Sequence, residues 1–211
     1  MDTKAFREGF RDGIPIGLGY LAVSFSLGIS AKQAGLTPLQ GFVTSFLENA
    51  SAGEYIAFTL IGAGATYIEL CLMTIIANAR YLLMSCAMSQ RFSPDTPMIH
   101  RFLVAFDLTD ELFGIAIGRP GYLNPYYSYG AFLVALPGWS IGTAAGVIAG
   151  NLLPGDIVKA LSVSLFGMFL AIIIPPARKD KVVLVLIIIS FAASYLCKTD
   201  DDQHQYDFVL S

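Results

Sequence analysis

The chain has 211 residues, of which 55% are hydrophobic and 14% charged, with a formal net charge of −3. Soluble domains carry about 25% charged residues, so this chain has too few charges to cover a water-facing surface and most of its outside must meet lipid. The near-neutral balance excludes a nucleic-acid binder, which needs a basic face, and the length fits one domain.

A helix that crosses a hydrocarbon core about 30 Å thick needs roughly 20 mostly apolar residues. The opening, residues 1–13, is charged. Phe6 and Phe10 are spaced i, i+4, with Arg7 and Arg11 on another face, which predicts a short cytoplasmic amphipathic segment rather than a signal peptide. Seven candidate spans follow within residues 14–197. They are Ile14 to Ser30, Leu39 to about Gly62, about Ala65 to Ser89, Arg101 to Gly118, Tyr126 to Gly150, Ile157 to Ile174, and Val182 to Leu196. The fourth is short and acidic and reads as a full span or a half-span. The residues after 197, KTDDDQHQYDFVLS, form a polar acidic tail. The expected fold is therefore all-α, a polytopic membrane bundle of about six to seven helices. Gly19-Tyr20 and Gly138-Trp139 sit in two small-residue-rich spans that each end in a proline turn. They mark either an internal repeat, common in secondary transporters, or a chance likeness.

If every segment crosses, the N-terminal side holds Lys4, Arg7, Arg11, Arg119, Arg178, Lys179 and Lys181. The opposite side holds Lys32, Arg91, Arg101 and Lys198. The bias places the N-terminus inside. The three cysteines, Cys71, Cys86 and Cys197, lie in apolar runs without metal-ligand spacing and read as small buried hydrophobes. No metal or cofactor is expected.

A carboxylate at the bilayer centre costs about 2.5 to 3.5 kcal/mol on insertion scales, so acids in spans face a polar interior or an interface. The second span holds Ser45, Glu48, Asn49, Ser51, Glu54 and Tyr55. As one helix, Ser45, Glu48, Ser51 and Tyr55 share a face. Ala50, Ala52 and Gly53 leave room for close approach or for unwinding. The cluster reads as a mid-membrane site or as interhelical glue. The third span carries Glu69, Asn78 and Arg80, with Glu69 and Arg80 on one face of a continuous helix. Arg80 needs a carboxylate from the second or fourth segment, or an interface to reach. In the fourth, Asp107, Asp110 and Glu111 make one acidic face, and Thr109 or Asp110 is placed to cap a helix. Pro137 predicts a kink or a break in the fifth span. No GxSxG or HExxH is present, and His100 and His204 lie in a loop and the tail, so the chain does not read as an enzyme.

Four stretches in order carry a family resemblance: FREGFRDGIPIGLGYLAVSFSLG followed by AGLTPLQ, then ASAGEY, then NARYLLMS, then LTDE. Together they resemble the AzlC-type branched-chain amino acid permease family. The resemblance implies the larger subunit of a two-component exporter of branched-chain amino acids in the cytoplasmic membrane. The expected partner is a small hydrophobic AzlD-type subunit. It carries over Ala52, Gly53, Glu54, Asn78, Arg80, Asp110 and Glu111, although many members have glutamine where Glu54 stands. Substrate contacts are expected at Asn49, Ser51, Gly53, Asn78, Arg80, Asp110 and Glu111. Proton coupling is expected at Glu54 and Glu48, by alternating access. A passive channel and a structural subunit of a larger transport complex are the rival readings.

Overall fold

A computed structural model describes residues 2–150, positions 174, 177, 178, 181 and 182, and the stretch 184–193. The chain divides into two units, Met1–Leu165 and Phe166–Ser211. The first contains helices α1 (Thr3–Gln33), α2 (Pro38–Glu48), α3 (Ser51–Gly62), α4 (Tyr67–Ala77), α5 (Arg80–Ser89), α6 (Met98–Phe106), α7 (Asp110–Ile117) and α8 (Pro125–Ala149). In the second unit the described stretch is a short apolar helix, Leu184–Ala193, inside the seventh expected span. Residues 157–173 of the sixth lie outside the described residues.

Two helices are each long and apolar enough to cross a membrane: α1, with 31 residues, and α8, with 25. Asp2 caps α1 and Asn124 caps α8, with Pro125 at its first turn. α1 runs without a break from the amphipathic opening into the first span. The two helices lie parallel in close contact. A methyl on Gly9 would overlap the Tyr127 carbonyl, one on Gly13 would press on the Ala131 backbone, and one on Gly28 would overlap the Thr143 carbonyl. Glycines reciprocate from α8, Gly130 against Phe6 and Gly146 against Phe25. Lipid tails are as apolar as leucine, so packing in a bilayer relies on such backbone approach. α8 stays one helix through Pro137, where the sequence suggested a kink or a break, and Gly138 beside it packs on the Gly17 carbonyl. The two aromatic residues of the suggested repeat meet as well: the Tyr20 and Trp139 rings lie edge to face, 5.0 Å apart.

The second expected span turns back at its middle, and the fourth takes its half-span alternative. α2 starts just beyond the end of α1 and descends along α8, with Gly41 against Val147 and Thr143. The chain breaks at Asn49–Ala50, and α3 returns until Gly62 lies beside Ala34, at the end of α1 where α2 began. α6 and α7 form a second hairpin from the opposite end. At its start Arg101 bonds the carbonyls of Ser89 and Ser93, at 3.1 and 2.8 Å. At its end Arg119 pairs with Glu8 of α1 at 2.6 Å. Between the hairpins, α4 and α5 form one crossing element bent by 50°. It runs from the α1 C-terminal end to Arg91, which bonds the carbonyls of Arg119 and Gly121. An apolar cluster of Ala5, Met88, Phe92, Val104, Leu108, Ala116, Leu123 and Tyr127 closes that end.

This corrects the charge map. Arg91 and Arg101 lie at the same end as Lys4, Arg7, Arg11 and Arg119, leaving Lys32 alone at the other end among the described residues of the first unit. Glu69 is a cap rather than an acid at membrane depth: its Oε2 accepts from the Thr66 N–H and hydroxyl at the start of α4, at 2.8 and 2.9 Å. Cys71 and Cys86 are exposed rather than buried, because α4 and α5 turn apolar residues such as Ile68, Leu72, Leu82 and Leu83 outward. Cys197 lies outside the described residues. His100 lies in the first turn of α6 rather than in a loop and is half-buried, with Nδ1 2.6 Å from the Tyr129 hydroxyl.

Two predictions follow from this packing and topology. In a background lacking Cys71, Cys86 and Cys197, an impermeant thiol reagent will label Lys4→Cys and Asp95→Cys from one face of the membrane and Gln33→Cys from the other. A fully crossing second, third and fourth segment would put Asp95 opposite Lys4. Gly28→Ala will lower the melting temperature in detergent, since overpacking a tight contact costs about 1–3 kcal/mol. Gly19→Ala, whose methyl meets nothing within 4 Å, will be neutral or mildly stabilising.

Candidate functional site

Each break has a local cause. Asn49 ends α2 in the left-handed region, φ 43° and ψ 40°, which asparagine tolerates better than most residues. Ala50 is extended and α3 restarts at Ser51. Asn78 ends α4 and Arg80 opens α5. Asp107 ends α6, and Thr109 caps α7, its side chain accepting from the Leu112 N–H. Helix ends leave backbone groups without intrahelical partners, and lipid supplies none, so the breaks must be enclosed by protein.

They enclose one another. The tips of the two hairpins touch, the Asn49 side-chain amide donating to Asp107 Oδ1. The bend of α4–α5 joins the first hairpin through Asn78 Nδ2, which donates to Glu48 Oε1 at 3.2 Å. It joins the second through an ion pair of 2.9 Å between Arg80 and Asp110. Gly53 is the contact surface for the first of these links, since a methyl there would overlap Glu48 Oε1 and Asn78 Nδ2.

α1 and α8 supply the wall. Glu54, fully buried, accepts from the Ser45 hydroxyl at 2.6 Å and from the Trp139 indole N–H. Ser45 also lies 2.7 Å from the Thr143 hydroxyl. Tyr20 stands 2.5 Å from the Thr109 hydroxyl and 2.6 Å from Glu111 Oε2. With one phenolic proton, Tyr20 donates to the carboxylate and accepts from the threonine. Since Tyr20 also touches Trp139, the Glu54 and Glu111 clusters flank a single aromatic pair.

The helical faces expected from spacing do not survive the breaks. Ser45 is fully buried but Tyr55 is 52% exposed, so they share no face. Asp107 lies outside α7 and bonds Asn49 rather than joining Asp110 and Glu111. Of the expected site residues, Asn49, Gly53, Glu48, Glu54, Asn78, Arg80, Asp110 and Glu111 take part in this junction. Ser51 is buried at the first turn of α3. Spacing within one segment pointed to neither Tyr20 nor Trp139 nor Thr143. The signal for the first two was the suggested repeat.

Several buried polar atoms here have no protein partner among the described residues: Asn49 Oδ1, Asn78 Oδ1, Asp107 Oδ2, Glu111 Oε1 and Arg80 Nε. Four acceptors and one guanidinium donor are thus left without a protein partner among the described residues.

Comparison with known proteins finds three instructive relatives. A membrane protein of Archaeoglobus fulgidus is 29% identical, the match covering 82% of this chain and 76% of the relative. Inner membrane protein YgaZ of Escherichia coli is 26% identical, covering 85% and 76%. Branched-chain amino acid transport protein AzlC of Bacillus subtilis is 26% identical, covering 84% and 70%. No solved structure matches. The profile of the AzlC protein family matches residues 15–153, a stretch that includes every residue of the junction, and the chain belongs to the AzlC family.

Proposed function

We propose that this chain is the larger, substrate-handling subunit of a secondary exporter of branched-chain amino acids. Residues 14–197 would form the transporter domain and residues 198–211 a polar tail outside it. The carrying observation is the junction itself: three helix breaks, an arginine and several acids meet at membrane depth in a chain related to a branched-chain amino acid transport protein. Unwound helices that meet near mid-membrane are where transporters hold substrates.

A zwitterion leaving water needs both charges met. Arg80 is the partner for the substrate carboxylate. Its guanidinium fork already holds Asp110 and keeps Nε without a protein partner, so exchange of one carboxylate for another leaves no charge stranded. The ammonium group goes to Asp110 and to Glu111, whose Oε1 is available. Asn49, Ser51, Gly53 and Asn78 line the approach. Glu54 carries the coupled proton, with Glu48 at the same hairpin tip as a second acceptor. The Ser45 hydroxyl and the Trp139 indole N–H that bond Glu54 are neutral donors, and a buried carboxylate without a cation is costly, so taking up and losing a proton is the natural change of state. The small AzlD-type subunit is the proposed partner, and the bacterial or archaeal cytoplasmic membrane the location. The N-terminal segment, residues 1–13, is then cytoplasmic, because Lys4, Arg7, Arg11, Arg91, Arg101 and Arg119 gather at that end.

One feature favours a passive channel as the second reading: hairpins from opposite ends meeting tip to tip place a constriction midway. Saturable, gradient-driven valine flux in proteoliposomes supports the transporter, and non-saturating flux the channel.

Arg80→Ala will weaken valine binding by about 2 kcal/mol, roughly thirtyfold in Kd, as expected for loss of a charged hydrogen bond, with Arg80→Lys partly restoring it. Unchanged binding in Arg80→Ala removes the site assignment. Glu54→Gln will retain valine exchange across liposomes but lose acceleration by a pH gradient. A variant that still responds to the gradient as the parent does eliminates Glu54 as the proton carrier.

A further inference from the structure

The tip-to-tip contact has an electrostatic problem that the substrate site does not solve. Asp107 is 1% exposed. One of its oxygens accepts from Asn49 and the other has no protein partner among the described residues. Arg80 is paired with Asp110, and no cation bonds Asp107 among the described residues. Its backbone position makes matters worse. Asp107 is the C-terminal cap of α6, and Asn49, which it touches, is the C-terminal cap of α2. Helix C-termini carry a partial negative charge and up to four carbonyls without intrahelical partners. Of those at the end of α2, the Ser45 carbonyl accepts from the Asn49 N–H. The carbonyls of the following residues, the last of α2, end at the tip. A buried carboxylate, two negative helix ends and the Asn49 Oδ1 are therefore brought together at one contact.

We propose that this point, between Asn49 and Asp107, is a binding site for a dehydrated monovalent cation of sodium size. The inference rests on the transport reading for its role in coupling, but not for the binding itself. The donor set is all oxygen: Asp107 Oδ2, Asn49 Oδ1 and backbone carbonyls, as a hard cation requires. The charge suits a single positive charge. Among the described residues no three His, Cys, Asp or Glu side chains come together, and Asp107 is the one acid at the contact. The size follows from enclosure: Asn49, Ala50 and Ser51 on one tip, and Asp107, Leu108 and Thr109 on the other, are each at most 7% exposed. An organic ammonium cannot follow its own α-carbon into so closed a contact, whereas a bare ion can. A cation held there ties together two hairpins that come from opposite membrane faces, so its loss weakens the contact that separates them.

The test uses the full chain, purified in detergent, at constant pH and ionic strength, with sodium chloride exchanged for choline chloride or potassium chloride. Sodium is expected to raise the melting temperature saturably, and radioactive sodium to be retained by the wild-type protein. Asp107→Asn should lose both effects, and Glu69→Gln, altered at the exposed α4 cap, should keep both. Any one of three results overturns the proposal: no sodium retention by the wild type, equal stabilisation by choline, or undiminished retention in a folded Asp107→Asn. A melting temperature that responds to acid but not to sodium identifies a proton as the occupant and also overturns it. Valine flux measured in parallel separates the two proposals. Flux independent of sodium, with no sodium bound, leaves the transport reading intact. Sodium retention without valine flux, measured in proteoliposomes with the small AzlD-type subunit present, sustains the cation site and removes the transporter.

Discussion

Broken helices cannot be left bare in lipid. Every carbonyl and N–H that a break releases needs a partner, and the bilayer core offers none. In this chain three breaks meet one another through their side chains, which encloses the broken backbone in protein. Asn49 reaches Asp107, Asn78 reaches Glu48 and Arg80 reaches Asp110. Remove one break and the other two lose a partner, so the position of each depends on all three.

The parallel pair of α1 and α8 makes the meeting possible. Its glycines bring two backbones together without intervening side chains, giving a rigid wall of membrane length. From that wall Tyr20, Trp139 and Thr143 reach the acids of the hairpins. Two of these residues bond a carboxylate directly, Tyr20 to Glu111 and Trp139 to Glu54, and Thr143 acts through Ser45. The wall and the two hairpin tips are thus joined by side-chain hydrogen bonds rather than by apolar packing alone.

Charge follows the same plan. Arginines at the α1 N-terminal end are spent on carbonyls and on Glu8: Arg91 on Arg119 and Gly121, Arg101 on Ser89, Ser93 and Thr96. They fasten hairpin ends at a membrane rim. Arg80, in the junction, instead faces acids. The same residue type anchors carbonyls at the rim and pairs with a carboxylate in the junction.

Much of this was legible from the amino-acid order. Scarcity of charge required a membrane bundle, and the long apolar runs located α1 and α8. The penalty for acids at lipid depth singled out Glu48, Glu54, Asp110 and Glu111. Those conclusions rest on local properties: hydropathy over about 20 residues and the price of burying a charge. Whether a run of membrane length crosses or turns back was not a local property. The segments 39–62 and 101–118 are apolar enough to read as spans, yet each folds at its middle, where Asn49 and Asp107 bond each other, 58 positions apart. The same holds for Asp107 itself, which spacing assigned to a face with Asp110 and Glu111, and for the arginines that spacing put on opposite sides. A hydrogen bond between distant breaks is a tertiary event, and it decided the topology that hydropathy left open.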